Sequence, residues 1–328
     1  MICAYSKEFI STGDKPPAKA YLIRRSSCRA GFPAARPGKG EEAMPDTALA
    51  RKADAAGSFA FDRNAEVFAL MRDSAAVLAR QEAILAPVVE RIVLGAADFS
   101  DALARLLATK LECDTACHDR LLALAAEAMR ADPAIAGHAV LDLDAIKDRD
   151  PAARDHLTPF LFFKGFHALQ WHRVGHWLYG QGRTALAAFL QSRVSESLAV
   201  DIHPAARIGW GLLIDHGTGV VIGETAVVGN DVSILHGVTL GGTGKVSGDR
   251  HPKVRDGVLI GAGAKILGNI EIGEGAKIGA GSVVLADVPP HRTAVGVPAR
   301  IVGSCSEPLP ALTMDHSIPV PPGIDFVI

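Results

Sequence analysis

The sequence predicts an α+β chain in which an N-terminal α-helical domain is followed by a parallel β-helix of six-residue repeats. Three observations predict it: apolar residues recur at helical spacing from about residue 61 to 199, a six-residue period takes over at Ile202, and most of the 33 glycines lie in the half that carries this period.

The first 58 residues read as a disordered or mis-assigned N-terminal extension. Residues 15–40 hold Lys15, Lys19, Arg24, Arg25, Arg29, Arg36 and Lys39 with no acid, a targeting-like balance, but Pro16, Pro17, Pro33 and Pro37 break any amphipathic helix. A translation start at Met44 is the other reading.

The helical domain is expected over 59–199. One helix carries Val67, Leu70, Met71, Val77 and Leu78. Ser100 is the expected N-cap of another that carries Leu103, Leu106, Leu107 and Leu111, and Pro133 follows one with Leu121, Leu122, Leu124 and Met129. Pro151 and Pro159 bracket a loop, after which helices are expected over 160–179 and 184–198.

Steps of six from Ile202 meet Ile208, Ile214, Val220, Ala226, Val232 and Val238, and a second series runs Ile260, Ile266, Ile272, Ile278 and Val284. This period fits neither a helix nor a flat strand. It is the mark of a β-helix in which each hexad forms one face of a three-sided coil, with one aliphatic side chain per hexad stacked inward. The β-helix is expected over 200–303. Leu240 and Ile260 are not a multiple of six apart, so Gly241 to Gly257, a polar and basic stretch, is expected to leave the coil as a loop, the usual place for function.

Composition narrows the function classes. The chain has 328 residues, 48% hydrophobic and 21% charged, with a formal net charge of -2. That balance gives no attraction for nucleic acid or an anionic membrane, and no apolar run of about 18 residues is present. Five cysteines without a C-x-x-C pair suit a reducing, cytoplasmic setting. Cys113 and Cys117 are expected to be buried thiols on one helix face, and His172 and His176, four residues apart beside Trp171 and Trp177, to be packed structural histidines rather than metal ligands.

The strings DIHPAARIG (201–209), DHGTGVVIGETA (215–226), VTLGGTGK (238–245), GDRHPKV (248–254), IGAGAKILGNI (260–270) and GVPARIVG (296–303) resemble the serine O-acetyltransferases of the hexapeptide-repeat acyltransferase family. KDRDPAARD (147–155) and FKGFHALQWHRVGHWL (163–178) resemble that family's helical half, so the likeness covers roughly residues 60–303. It implies a left-handed β-helix, trimers of parallel prisms joined into a dimer-of-trimers hexamer, and acetyl transfer from acetyl-CoA, a co-substrate rather than a resident cofactor, to L-serine. It also implies that O-acetylserine feeds cysteine synthesis and that cysteine inhibits from the serine site.

The chemistry needs particular groups. A serine hydroxyl attacks a thioester only with a base of pKa near 7, and His216 matches that base, with Asp201 as the carboxylate that orients it. Arg250 and His251 match the partners of the substrate carboxylate, and Asp150 and Asp215 those of its ammonium. Gly242 and Ala262 match backbone positions along the pantetheine arm, and Lys277, on an exposed hexad position, a basic residue near the nucleotide phosphates. Three rivals stand beside this reading: a zinc enzyme using His216, His236 and His251, transfer to a sugar or other alcohol, and a non-catalytic scaffold.

Residues 304–328 hold five prolines and no period, and read as a flexible tail ending in Asp325-Phe326-Val327-Ile328. The resemblance implies docking of Ile328 into cysteine synthase (O-acetylserine sulfhydrylase), with a C-terminal carboxylate held by backbone N–H groups.

Overall fold

Helical periodicity across the first half resolves, in the computed structural model, into eight helices among the described residues. The structure describes residues 47–113, 116–244, 247–305 and 307–318. The helices are α1 (Thr47–Gln81), α2 (Ala86–Val89), which a π-helical turn at Glu90–Leu94 continues, α3 (Phe99–Leu111), α4 (His118–Ala131), α5 (Ala134–Arg149), α6 (Leu157–Phe162), α7 (Lys164–Gly180) and α8 (Thr184–Leu198). Because α1 already runs at Thr47, helix reaches into the stretch expected to be an extension, and only residues 1–46 of that expectation lie outside the described residues.

Two local expectations are corrected. Asp98, not Ser100, caps α3, its carboxylate accepting the Asp101 N–H at 2.9 Å. The single helix expected over 160–179 is two: Pro159 lies inside α6, and the chain turns out of the helical region at Phe163 before α7 begins at Lys164.

The second half is a three-faced parallel β-helix. Face I stacks β1 (Val200–Ile202), β4 (Val220–Ile222), β7 (Thr239–Gly241), β10 (Lys265–Leu267) and β13 (Val283–Val284). Face II stacks β2 (Arg207–Ile208), β5 (Val227–Val228), β8 (Lys253–Val254) and β11 (Glu271–Ile272). Face III stacks β3 (Leu213–Ile214), β6 (Ser233–Ile234), β9 (Leu259–Ile260), β12 (Lys277–Ile278) and β14 (Arg292–Gly296), and β15 (Ala299–Ser304) closes it antiparallel to β14. The core is a set of ladders, such as Ile202, Ile222, Leu240, Ile266 and Val284 on face I and Ile214, Ile234, Ile260 and Ile278 on face III. These side chains are buried, and apolar burial at about 25 cal/mol per Å² is the main force holding such a stack together.

The register departs from a uniform period in two places. Ile214 pairs with Ile234 and Val200 with Val220, whereas Val221 pairs with Thr239 and Ile260 with Ile278, so the first coil is two residues longer than the last. The extra residues fall in the turn between β3 and β4. Counting in sixes passed over them because Val220, Ala226, Val232 and Val238 are also buried, each two residues ahead of its ladder position and on the same side of the strand. The loop is also shorter than expected: β8 returns to the coil, with Val254 stacked between Val228 and Ile272.

A buried carboxylate joins the two halves. Asp142 on α5 is 0% exposed and accepts three hydrogen bonds: from Leu212 N in the first coil at 2.9 Å, from Gln170 Nε2 at 2.9 Å and from Arg173 Nη2 at 2.6 Å on α7. Two helical turns along α5, Arg149 donates to Asp231 at 2.9 Å and to Ser233 Oγ at 3.3 Å. At the start of α7, a Cβ on Gly165 would come within 2.0 Å of Ile214 O, so only glycine lets the helix lie this close to β3.

The short segment after β15 folds back over face III as α9 (Pro310–Thr313), whose Ala311 O accepts from Ser233 Oγ at 2.9 Å. Residues 319–328, including Ile328, lie outside the described residues.

Asp142→Ala would leave the buried Arg173 guanidinium without its carboxylate, and losing one partner of a buried ion pair costs about 3–5 kcal/mol. Denaturant unfolding should show a loss of that size; a change within about 0.5 kcal/mol, the size of an ordinary surface substitution, would mean that Asp142 does not carry the joint.

Candidate active site

The two-residue enlargement of the first coil lies at the corner between faces III and I, and His216 is in it. Its backbone adopts a left-handed conformation, φ 55°, followed by Gly217 at φ 70°. For a residue with a Cβ that conformation is costly and marks a position the surrounding structure imposes. The turn throws the imidazole outward, 74% exposed, with Nε2 3.8 Å from Asp215 Oδ1 and its ring 5.9 Å from that of His236 one coil further on.

Beside His216 lies an open cleft of about 510 Å³ whose lining includes Asp150, Phe162, Phe163, Lys164, Asp215 and His216. Asp150 reaches it as the residue that ends α5, where its Oδ1 also accepts the Ala152 N–H at 2.8 Å, so helix capping and cleft lining are not exclusive roles. Lys164 enters the cleft because the chain breaks between α6 and α7, and its ammonium donates to Thr218 Oγ1. Nothing in the helical period marks Lys164. The F-K-G-F string does, once Gly165 is seen to be the point where α7 touches β3.

A second cluster occupies the corner between faces I and II. Here lie His203 after β1, Glu224 and Thr225 after β4, and Gly242, Arg250 and His251 after β7. Arg250 Nη2 donates to Glu224 Oε2 at 2.6 Å, and that hydrogen bond holds the Glu224 carboxyl below its usual range. Lys253 gathers the loop end, donating to Thr225 O at 2.8 Å, His251 O at 2.7 Å and Asp249 Oδ1 at 2.6 Å. His251 is buried, and burial first, then the Arg250 guanidinium, pushes its imidazole below the ordinary histidine value. Its ring lies close against Gly223 at the end of β4: a Cβ there would come within 2.1 Å of Nε2.

The expected site residues therefore fall into groups. Asp150, Asp215 and His216 share one corner, with Ala262 on the same edge two coils further on. Arg250, His251 and Gly242 share another. Asp201 sits on face I between the two corners, its Oδ1 accepting from Gln191 Nε2 of α8 at 2.6 Å. Among the described residues, no hydrogen bond or ion pair joins Asp201 to His216 within one chain, and the carboxylate beside His216 is Asp215. For the same reason His216, His236 and His251 are not gathered in one chain, since the third belongs to the other corner.

Lys277 also differs from expectation. It is 4% exposed, because the returning C-terminal segment covers it, and its ammonium donates to Asp315 Oδ2 at 3.2 Å and Ser317 O at 2.9 Å. Cys117 is exposed and Cys113 half-buried, in the stretch between α3 and α4 rather than on a helix face. His172 is buried, and His176 Nδ1 donates to Pro204 O at 2.7 Å, tying α7 to the first coil. Among the described residues no helix is long and apolar enough to cross a membrane.

Comparison with known proteins bears on this geometry directly. Residues 67–171 match the model for the N-terminal region of serine acetyltransferase, and residues 251–286 the model for six bacterial transferase hexapeptide repeats. The serine acetyltransferase of Escherichia coli (strain K12) is 55% identical over 246 residues, 75% of this chain and 90% of that protein. The chain belongs to the serine acetyltransferase family. It is an acyltransferase by that membership, with a helical half and a β-helix as in solved members. A serine acetyltransferase in complex with cysteine superposes with a TM-score of 0.76 at 50% identity, covering 78% of this chain and 99% of that one. The soybean enzyme complexed with serine gives 0.72 at 54%, covering 73% and 99%.

Gly223→Ala places a methyl group where the His251 ring now lies. It should lower kcat/KM for serine acetylation by about tenfold or more, the worth of one charge-assisted hydrogen bond, with an unchanged circular dichroism spectrum. Wild-type kcat/KM in this variant would show that the position of the ring is immaterial.

Proposed function

We propose that the chain transfers an acetyl group from acetyl-CoA to the hydroxyl of L-serine, giving O-acetyl-L-serine and CoA, as the first step of cysteine biosynthesis from serine, with cysteine as a feedback inhibitor at the serine site. The observation that carries this reading is the pairing of complementary half-sites on two edges of one prism. One edge offers an exposed imidazole flanked by carboxylates, and the other a guanidinium beside a neutral imidazole. Free serine presents an ammonium, a carboxylate and a hydroxyl, and the two edges together match all three.

Neither edge is complete alone, which fits a trimer in which each groove is lined by the His216 edge of one protomer and the Arg250 edge of its neighbour. Joining two such trimers through the helical halves gives the proposed hexamer. Acetyl-CoA would lie along the same groove, past the backbone at Gly242 and Ala262. Lys277 could meet its phosphates only if the segment carrying Asp315 and Ser317 lifted away.

In the reaction, His216 takes the proton from the serine hydroxyl as the oxygen attacks the thioester carbonyl, forming the new C–O bond. Collapse of the tetrahedral intermediate breaks the C–S bond, and the imidazolium returns the proton to the departing thiolate. Asp215 beside His216 stabilises the imidazolium, and Asp201, which does not reach His216 within one chain, would orient the ring from the neighbouring protomer across the groove. Asp150 and Asp215 hold the substrate ammonium, and Arg250 and His251 its carboxylate.

Thiol release from acetyl-CoA should be fast with serine and slow with threonine or homoserine. His216→Ala should lower kcat by about a hundredfold to ten-thousandfold, the range for loss of a general base, with acetyl-CoA binding retained. Equal rates with all three acceptors would overturn the assignment of serine, and wild-type turnover in the variant would remove His216 as the base.

Docking of the C-terminal carboxylate at Ile328 into cysteine synthase has its own test. Deleting Ile328 should abolish the complex in a calorimetric titration and leave acetyl transfer intact. Retained binding would reject the docking role.

A further inference from the structure

The serine site needs a hydrogen bond from His251, and the surroundings of that ring decide which of its nitrogens can give one. The backbone N–H of Thr225 donates to His251 Nδ1 at 3.2 Å, and Thr225 Oγ1 lies 2.9 Å from the same nitrogen. That hydroxyl oxygen also accepts the backbone N–H of Arg250 at 3.0 Å and of His251 at 3.1 Å. With both lone pairs engaged, the hydroxyl has only its proton left to offer, and the acceptors within reach are Nδ1, at 2.9 Å, and the Asp249 carboxylate. The Thr225 backbone N–H can only donate, so Nδ1 must keep its lone pair, the nearby hydroxyl reinforces this, and in the neutral ring the proton belongs on Nε2. Nε2 itself makes no hydrogen bond among the described residues.

We propose that Thr225 is a positioning residue that fixes His251 in the neutral Nε2–H tautomer, so that His251 presents the substrate carboxylate with a donor and is unable to act as the base. The proposal rests on the acetyl-transfer reading for the identity of the ligand, but the tautomer itself does not. The charged and titratable groups facing the ring are Arg250, Glu224, Lys253 and His203. Burial and the two cations disfavour the imidazolium, Glu224 favours it, and the net direction is toward the neutral ring that this geometry requires. The arrangement divides labour between the histidines: His216 is exposed and has a carboxylate beside it, whereas His251 is buried and proton-locked.

The test compares Thr225→Val, which removes the hydroxyl and keeps the β-branched shape, with Thr225→Ser, which restores it. In wild-type protein carrying 15N-labelled histidine, the resonances that disappear in His251→Gln should show an unprotonated Nδ1 and a protonated Nε2 at neutral pH. Thr225→Val keeps the backbone N–H donor to Nδ1 and removes the hydroxyl, so it should raise the share of the Nδ1-protonated tautomer, raise KM for serine by up to about tenfold, the worth of a hydrogen bond to a charged group, and change kcat much less. Protonation at Nδ1 also becomes easier without the hydroxyl donor, so the acid limb of kcat/KM for serine should move to higher pH. Thr225→Ser should recover the wild-type spectrum, KM and pH limb. A wild-type ring protonated on Nδ1, a Thr225→Val enzyme with unaltered KM and pH limb, or a Thr225→Ser enzyme no better than the valine variant would each overturn the proposal. Wild-type protein that acetylates no serine would instead sink the acetyl-transfer reading, and the nitrogen spectra would still decide the tautomer.

Discussion

The arrangement of the site hangs on one buried carboxylate. Asp142 is stripped of water and surrounded by three donors from two other elements, and an ionised carboxylate in that setting is tolerable only while all three remain. It therefore fixes α5, α7 and the first coil relative to one another. Arg149 repeats the device two turns further along α5, against the second coil. The next residue is Asp150, so the helix that is pinned twice delivers its last side chain into the cleft beside His216. Coupling between the halves is thus geometric: α5 cannot shift along the prism without breaking hydrogen bonds inside a dry interface.

The architecture was legible in the sequence because a β-helix writes its core as a repeat. Stacked coils put equivalent side chains in register, and Ile260, Ile266, Ile272 and Ile278 can be read directly as inward positions on successive faces, with Ile278 stacked on Ile260 one coil earlier. What the repeat concealed is where it is broken. An insertion of two residues leaves side-chain alternation intact, so Val220 and Ala226 continue an unbroken aliphatic series while the ladder moves on to Ile222 and Val228. The longer insertion before Arg250 shows in the sequence, since it spoils the count, but its far end does not, because the short strand at Lys253–Val254 carries too little pattern. The burial of Lys277 leaves no mark in the sequence, because hexad position says nothing about a distant segment folding back.

The site was legible as a list of residues rather than as an arrangement. Motif strings identify Asp150, Asp201, Asp215, His216, Arg250 and His251, but the corner each one occupies follows from counting residues per coil, which the hidden insertion disturbs. Within one chain these residues form two clusters, and Asp201 lies between them, bonded to Gln191. Residues acting through others were harder still to foresee. Thr225 and Gly223 look like ordinary turn residues, and their importance lies in what they do to the ring of His251.

The enlarged corner at His216 has a consequence for how such sites arise. A solenoid core is maintained by contacts between neighbouring coils, and a bulge at an edge leaves those contacts nearly untouched. New chemistry can thus be acquired at an edge without renegotiating the interior, as long as the inserted residues come as a pair and preserve the in-out alternation of the strands. The left-handed turn at His216 and Gly217 thus mounts a reactive side chain on a two-residue bracket outside the ladders, where the stack of buried aliphatic side chains is left continuous.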